Sequence, residues 1–168
     1  MDDPIRTMIV MDAGHSRFQF RMGALIRCRD HILIHRNIAD PYWALPGGRV
    51  EFHESTQQTL AREIEEEIGC EAAVGPLRFV IENFFELSGR EVHEIGFYYD
   101  AALSHPLPFH ETDIVHRVRD GEAELEFRWI RPTATAFDEY DLKPFPLRAL
   151  IAGMPGGIAH LVYRDQVG

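Results

Sequence analysis

A chain of 168 residues, 45% hydrophobic and 26% charged, is expected to make one domain over 1–168, with a core at about 18–163 that needs no disulfide or structural metal. Its formal net charge of −10 argues against long nucleic acid, whose binding rests on many Lys and Arg contacts with phosphates. No apolar run reaches membrane-spanning length and the start MDDPIRT is acidic, so the expectation is a cytoplasmic protein with no membrane partner.

Residues 1–15 lack clear periodicity and are read as a lead or an edge strand. From Phe18 to Ile26, Phe18, Phe20, Met22, Ala24 and Ile26 alternate with Gln19, Arg21 and Gly23. Arg29-Asp30 then separates this run from His31-Ile32-Leu33-Ile34, which predicts a β-hairpin. Arg36 ends the second strand. Residues 37–41 are a loop, and Pro46-Gly47-Gly48 is read as a turn whose bare backbone lets a ligand or ion approach.

The stretch from Gly47 to Cys70 carries the chemistry. Ser55 can cap a helix, Gln58 completes a capping box, and Gly69 supplies the left-handed stop. Taking Glu63 as zero, Glu66 lies near −60° and Glu67 near +40° on the helical wheel, beside an apolar face of Leu60, Ile64 and Ile68. Three carboxylates in an arc of about 100° repel one another, and Arg62 neutralises only one of them. A hard divalent cation with oxygen ligands answers that excess charge.

Beyond the helix, 77–87 and 91–103 flank Ser88-Gly89-Arg90, read as a hairpin with a three-residue turn. In that register Glu94 stands opposite Phe84 and diagonal to Glu82, so that Glu82, Phe84 and Glu94 share one face. Residues 104–122, with two prolines, are read as a long loop, either a lid or plain surface. A closing strand at 124–130, a short helix at 144–151 and a final strand at 158–163 complete the chain. Cys28 and Cys70 make no framework, and the nine histidines form no HExxH pair.

Gly48, five residues, Glu54, seven residues, then Arg62-Glu63-Ile64, one residue, Glu66-Glu67, one residue and Gly69 resembles the Nudix box. Only the final aliphatic position departs, with Cys70. Average residue usage gives odds of roughly 10⁻⁷ for a chance match. The chain is therefore identified as similar to Nudix hydrolases of the MutT-like kind, over about 18–130, including Trp43-Ala44-Leu45-Pro46 ahead of the box.

The resemblance implies an α/β fold, a Nudix-type α/β/α sandwich with a mixed, partly antiparallel sheet. It also implies hydrolysis of a nucleoside diphosphate linked to another group, dependent on Mg²⁺ or Mn²⁺. In that pattern Glu63, Glu66, Glu67 and the Gly47 carbonyl bind metal, Arg62 orients a carboxylate, and Glu54 completes the ion pair. Relatives often have Gly where this chain has His53, which makes the geometry of Glu54 depend on whether His53 takes φ > 0. Relatives also place a basic residue such as Arg36 near the substrate phosphates and recruit a downstream acid. Glu94 is ranked first for that acid as general base and Glu124 second, while Tyr42 and Phe84 are candidates to stack on a base. A (d)NTP pyrophosphohydrolase is the leading class because markers for ADP-ribose, coenzyme A and dinucleoside polyphosphates are missing. The alternatives are an enzyme on ADP-ribose, a nucleotide sugar or a dinucleoside polyphosphate, and a nucleotide-sensing module that does not cleave. An isomerase of the same fold would need an Asn-Thr-Cys segment, which is absent. The partner is a small nucleotide, and a homodimer stays open.

Overall fold

The structure, a computed structural model, describes residues 6–166. Along the chain run β1 (Val10–Ala13), β2 (Ser16–Cys28), β3 (His31–Asn37), β4 (Gly47–Arg49), α1 (Thr56–Ile68), β5 (Ala72–Leu87), β6 (Arg90–Leu103), β7 (His116–Asp120), β8 (Ala123–Ile130), α2 (Ala134–Glu139), α3 (Leu147–Gly153) and β9 (Ala159–Arg164). The strand order is β7-β8-β3-β2-β6-β5-β9, with β1 and β4 attached to β2. Pairs β2–β6 and β5–β9 are parallel and the other strand pairs antiparallel, so the sheet is mixed as expected.

Helices cover both faces. Met22, Ala24, Leu33, Tyr99 and Phe127 pack with Leu60, Ile64 and Ile68 of α1. Leu25, Ile34, Phe79, Ile81 and Tyr98 pack on the opposite face with Phe137 of α2 and Leu147 and Ile151 of α3. The even positions of β2 meet α1 and the odd ones the other core, so Gln19, Gly23 and Leu25 are as buried as Met22 and Ala24. The alternation at the start of this strand sorts residues between two cores, not between core and water.

Strands β2 and β3 pair only at Arg27↔Ile32 and Cys28↔His31, next to the turn at Arg29-Asp30, and then part. The segment before α1 fills the gap between them. Ala44 exchanges two 2.9 Å backbone bonds with His35, and Gly47–Arg49 pairs with Gly23–Arg21. Pro46-Gly47-Gly48 is thus not a free turn, since Gly47 and Gly48 form a short strand. An added Cβ on Gly47 would sit 2.1 Å from the Met22 carbonyl oxygen, so only glycine lets β4 lie this close to β2.

Three further expectations change. The turn of the β5–β6 hairpin is two residues long, because Ser88 and Gly89 both take positive φ (51° and 77°), and Leu87 pairs with Arg90. That one-residue shift sets Glu94 against Asn83 and Phe84 against His93, and it moves Glu94 to the face opposite Phe84 and Glu82. Residues 116–120, expected within a loop, form β7, which covers the edge of β8. The helix predicted from residue 144 begins at Leu147, and α2, not expected at all, starts at Thr133, whose side chain accepts from Ala136 N. The lead is an edge strand from Val10, while residues 1–5 lie outside those described.

Candidate active site

The site is built on α1. Ser55 caps it with both bonds of the capping box, Gly69 stops it at φ 82°, and the Thr56 hydroxyl meets the Tyr99 hydroxyl at 2.5 Å, tying the first turn to β6. The apolar stripe holds the helix to the sheet, which leaves Glu67 buried at its edge, Glu63 largely covered and Glu66 at the surface.

Arg62 gathers the acids. Its guanidinium lies 3.0 Å from Glu54, 3.1 Å from Glu51, 3.2 Å from Glu66 and 3.4 Å from Glu63. The Glu54 hydrogen bond foremost, then the charges of Glu63 and Glu51, hold Arg62 well above its ordinary value. The same bond, with Thr59 Oγ1 donating to Glu54 at 2.6 Å, keeps the Glu54 carboxyl below its usual range. His53 takes φ 68° just before it, the left-handed conformation this position was suspected to need. Arg6 reaches back from the chain start to Glu66 at 2.5 Å.

Glu63 and Glu67 have the opposite problem. Burial raises both carboxyl groups above the usual range, and the charges of Glu63 and Asp120 push Glu67 up further. Beside Glu67, His35 Nδ1 lies 3.7 Å from a carboxylate oxygen, too far for a hydrogen bond, and has no other partner. Burial holds His35 down to about 3, so its imidazole brings no positive charge to Glu67 near neutral pH. His116 Nε2 donates to the Glu67 carbonyl at 2.7 Å, fastening the end of α1 to β7.

The donor set suits a hard cation. It is all oxygen, two of its carboxyl groups are raised chiefly by burial, and an added Cβ on Gly48 would stand 3.1 Å from Glu63 Cδ, so the bare backbone keeps that carboxylate accessible. The side chains are not drawn into a cage: among the described residues no three His, Cys, Asp or Glu groups converge as ligands, and Glu66 is ion-paired to Arg62 and Arg6.

The other sequence candidates scatter. Glu94, the first-ranked base, lies on the face away from α1, 6% exposed, accepting from Gln19 Nε2 at 2.5 Å. Glu124 alternates with Leu125 and Phe127, which face α1, and therefore also points to the far face. Phe84 is stacked on His93 at 4.3 Å with Arg164 3.9 Å above it. Arg36 is ion-paired to buried Glu126 at 2.8 Å and lies 4.7 Å over Trp43. Tyr42 is half-buried, and burial raises its hydroxyl.

Sequence reasoning missed Asp120. It ends β7, and in the antiparallel register Asp120↔Ala123 and His116↔Phe127 share the face that meets α1. Its charge acts on both Glu63 and Glu67. The available signal was the alternation of His116, Val118 and Asp120 with Arg117 and Arg119, which is a strand pattern inside the supposed loop.

Comparison with known proteins agrees with this geometry. The NUDIX domain family matches residues 18–150, and the chain belongs to that family. Over 51 residues it is 47% identical to a CTP pyrophosphohydrolase of Escherichia coli (strain K12), a match covering 30% of this chain and 36% of that relative. The chain spans only about a third of that relative's length. The solution structure of the E. coli ORF135 protein matches with TM-score 0.53 and 27% identity, over 88% of this chain and all of the other. A MutT protein from Bacillus halodurans shares the fold with TM-score 0.63 at 16% identity, over 89% and 91% of the two chains. No helix among the described residues is long and apolar enough to cross a membrane.

Proposed function

We propose that the protein is a metal-dependent hydrolase that cleaves the pyrophosphate linkage of a nucleoside diphosphate derivative, and more specifically a (d)NTP pyrophosphohydrolase. The observation that carries this reading is the placement of Glu63, Glu66 and Glu67 on one edge of α1, beside the Gly47-Gly48 backbone and ordered by the Arg62–Glu54 pair. Family membership supports the reaction class. The CTP pyrophosphohydrolase relative supports the nucleotide triphosphate, over the short segment that matches.

Glu63, Glu66, Glu67 and the Gly47 carbonyl are the groups that would hold Mg²⁺ or Mn²⁺. When bound, such a cation neutralises phosphate oxygens and acidifies water. Arg62 keeps Glu54, Glu63 and Glu66 oriented without itself moving a proton. Asp120, a carboxylate on β7 facing the same acids, takes the role assigned on sequence to Glu94. It accepts a proton from the water whose oxygen bonds to one phosphorus of the α–β linkage as the bond from that phosphorus to the bridging oxygen breaks, which parts pyrophosphate from the nucleoside monophosphate. His35 and the apolar edge of α1 keep bulk water from Glu67.

The test is a panel of nucleoside triphosphates, nucleotide sugars, ADP-ribose, dinucleoside polyphosphates and coenzyme A, each with Mg²⁺, with Mn²⁺ and with excess EDTA. Cation-dependent release of pyrophosphate and a nucleoside monophosphate from a triphosphate is the expected result. Turnover that persists in EDTA would remove the metal from this account, and saturable nucleotide binding without turnover on the whole panel would make the protein a sensor.

A further inference from the structure

Among Glu63, Glu66 and Glu67, only Glu66 has an arginine on each carboxylate oxygen. Its Oε1 accepts from Arg6 Nη1 at 2.5 Å and its Oε2 from Arg62 Nη1 at 3.2 Å. The two arginines are not equivalent. The Arg62 side chain is 18% exposed and also serves Glu51, Glu54 and Glu63, so it is fixed by bonds that do not depend on Glu66. The Arg6 side chain is 55% exposed, and among the described residues Glu66 is its one ion-pair partner.

Backbone pairing puts Arg6 there, across 60 positions of sequence. The Thr7 carbonyl accepts from Phe52 N at 3.0 Å, Met8 bridges antiparallel to Glu51, and Ile9 N donates to the Val50 carbonyl at 2.8 Å. The lead ahead of β1 therefore runs along the segment that enters α1, and it delivers a cationic side chain to the most exposed of the three acids. Mg²⁺ takes carboxylate oxygens at about 2.1 Å. Two guanidinium groups and a divalent ion are more positive charge than one carboxylate can serve, and the group with fewest other bonds is the one to leave.

We propose that Arg6 is a tethered counter-ion that closes the outer edge of the metal site in the metal-free protein, and that a divalent cation engages Glu66 only by displacing it. This rests on the hydrolase reading, in which Glu66 is a metal ligand. The lead then sets the cation concentration at which the site fills, because its tether keeps a guanidinium beside Glu66 while the cation must come from solution. Competition is confined to this acid. Glu63 meets only Arg62, at 3.4 Å, and the ion-pair neighbour of Glu67 is His35, which is uncharged near neutral pH.

The test reads cation binding without any nucleotide. Mn²⁺ is titrated into the full-length protein and the free ion is followed by electron paramagnetic resonance. Arg6→Gln should tighten Mn²⁺ binding about threefold to fivefold, the size of one solvent-exposed ion pair. That gain should shrink at about 0.5 M salt, which screens the pair. Arg6→Lys keeps the charge and should stay near the parent. Arg90→Gln removes the same charge from a pair with Asp12 and should change nothing. In a Glu66→Gln background, where Mn²⁺ binding is weaker throughout, Arg6→Gln should have no further effect. Equal Mn²⁺ affinity in parent and Arg6→Gln overturns the inference and leaves the hydrolase reading standing. A gain that persists in the Glu66→Gln background, or that Arg90→Gln reproduces, overturns it too, since net charge alone would then be at work. Failure of parent and Arg6→Gln alike to bind Mn²⁺ removes the metal from the hydrolase reading and this inference with it.

Discussion

Replacing Glu67 by Gln should stabilise the metal-free protein while depriving it of its cation. The Glu67 carboxyl is 7% exposed, and burial together with Glu63 and Asp120 raises it above its value in the unfolded chain. A group raised in this way favours the folded state fully below the unfolded value, near 4.5, and that contribution is lost as pH rises toward the folded value. Each unit of separation is about 1.4 kcal/mol, and the carboxyl shares its proton with Glu63, so a gain of roughly 2 kcal/mol at pH 8 is a sensible size for removing it. For a chain of this length that is a rise of about 4–8 °C in melting temperature. The assay is thermal unfolding in excess EDTA at pH 5 and pH 8, repeated with Mn²⁺. The parent should lose stability between the two pH values and recover it with Mn²⁺, whereas Glu67→Gln should be flatter with pH, more stable at pH 8 and nearly indifferent to Mn²⁺. A Glu67→Gln protein no more stable than the parent at pH 8 would show that the carboxyl is not the strained group described above.

Asp120→Asn should lower kcat by on the order of 10² with little change in KM, while Glu124→Gln, on the other face, stays within about threefold. The reverse ranking, measured on the same substrate, would restore the closing strand as the source of the base. Arg62→Ala should release Glu54 and Glu63, costing roughly 2–3 kcal/mol in urea unfolding and raising the Mn²⁺ dissociation constant. If neither quantity changes, Arg62 does not order the acids.

How much of this was legible beforehand depended on whether a feature is local in the chain. The capping box at Ser55 and Gln58, the stop at Gly69 and the spacing from Gly48 to Glu67 are set by residues a few turns apart, and each appears where the sequence put it. Even the strained φ at His53 could be anticipated, because it belongs to the link between two local elements. Pairing between strands obeyed other constraints. Whether Ser88-Gly89 or Ser88-Gly89-Arg90 makes the turn differs by little in local preference, yet the choice decides which face every residue of β5 and β6 occupies.

Tertiary structure settled that choice by burying Phe79, Ile81 and Tyr98 together against α2 and α3. In doing so it carried Glu94 away from the acids of α1 and left it with Gln19 and Asn83. It also brought Asp120 to Glu63 and Glu67 across about 55 positions of sequence, through the pairing of β7 with β8 and the bond from His116 to the end of α1. The sequence by itself determined the helix, its acids and the kind of ion they suit, because 3.6-residue periodicity and short-range capping suffice for those. Which distant carboxylate and which arginines join them was decided only by the packing of the sheet, since burial and strand register act on the whole chain at once.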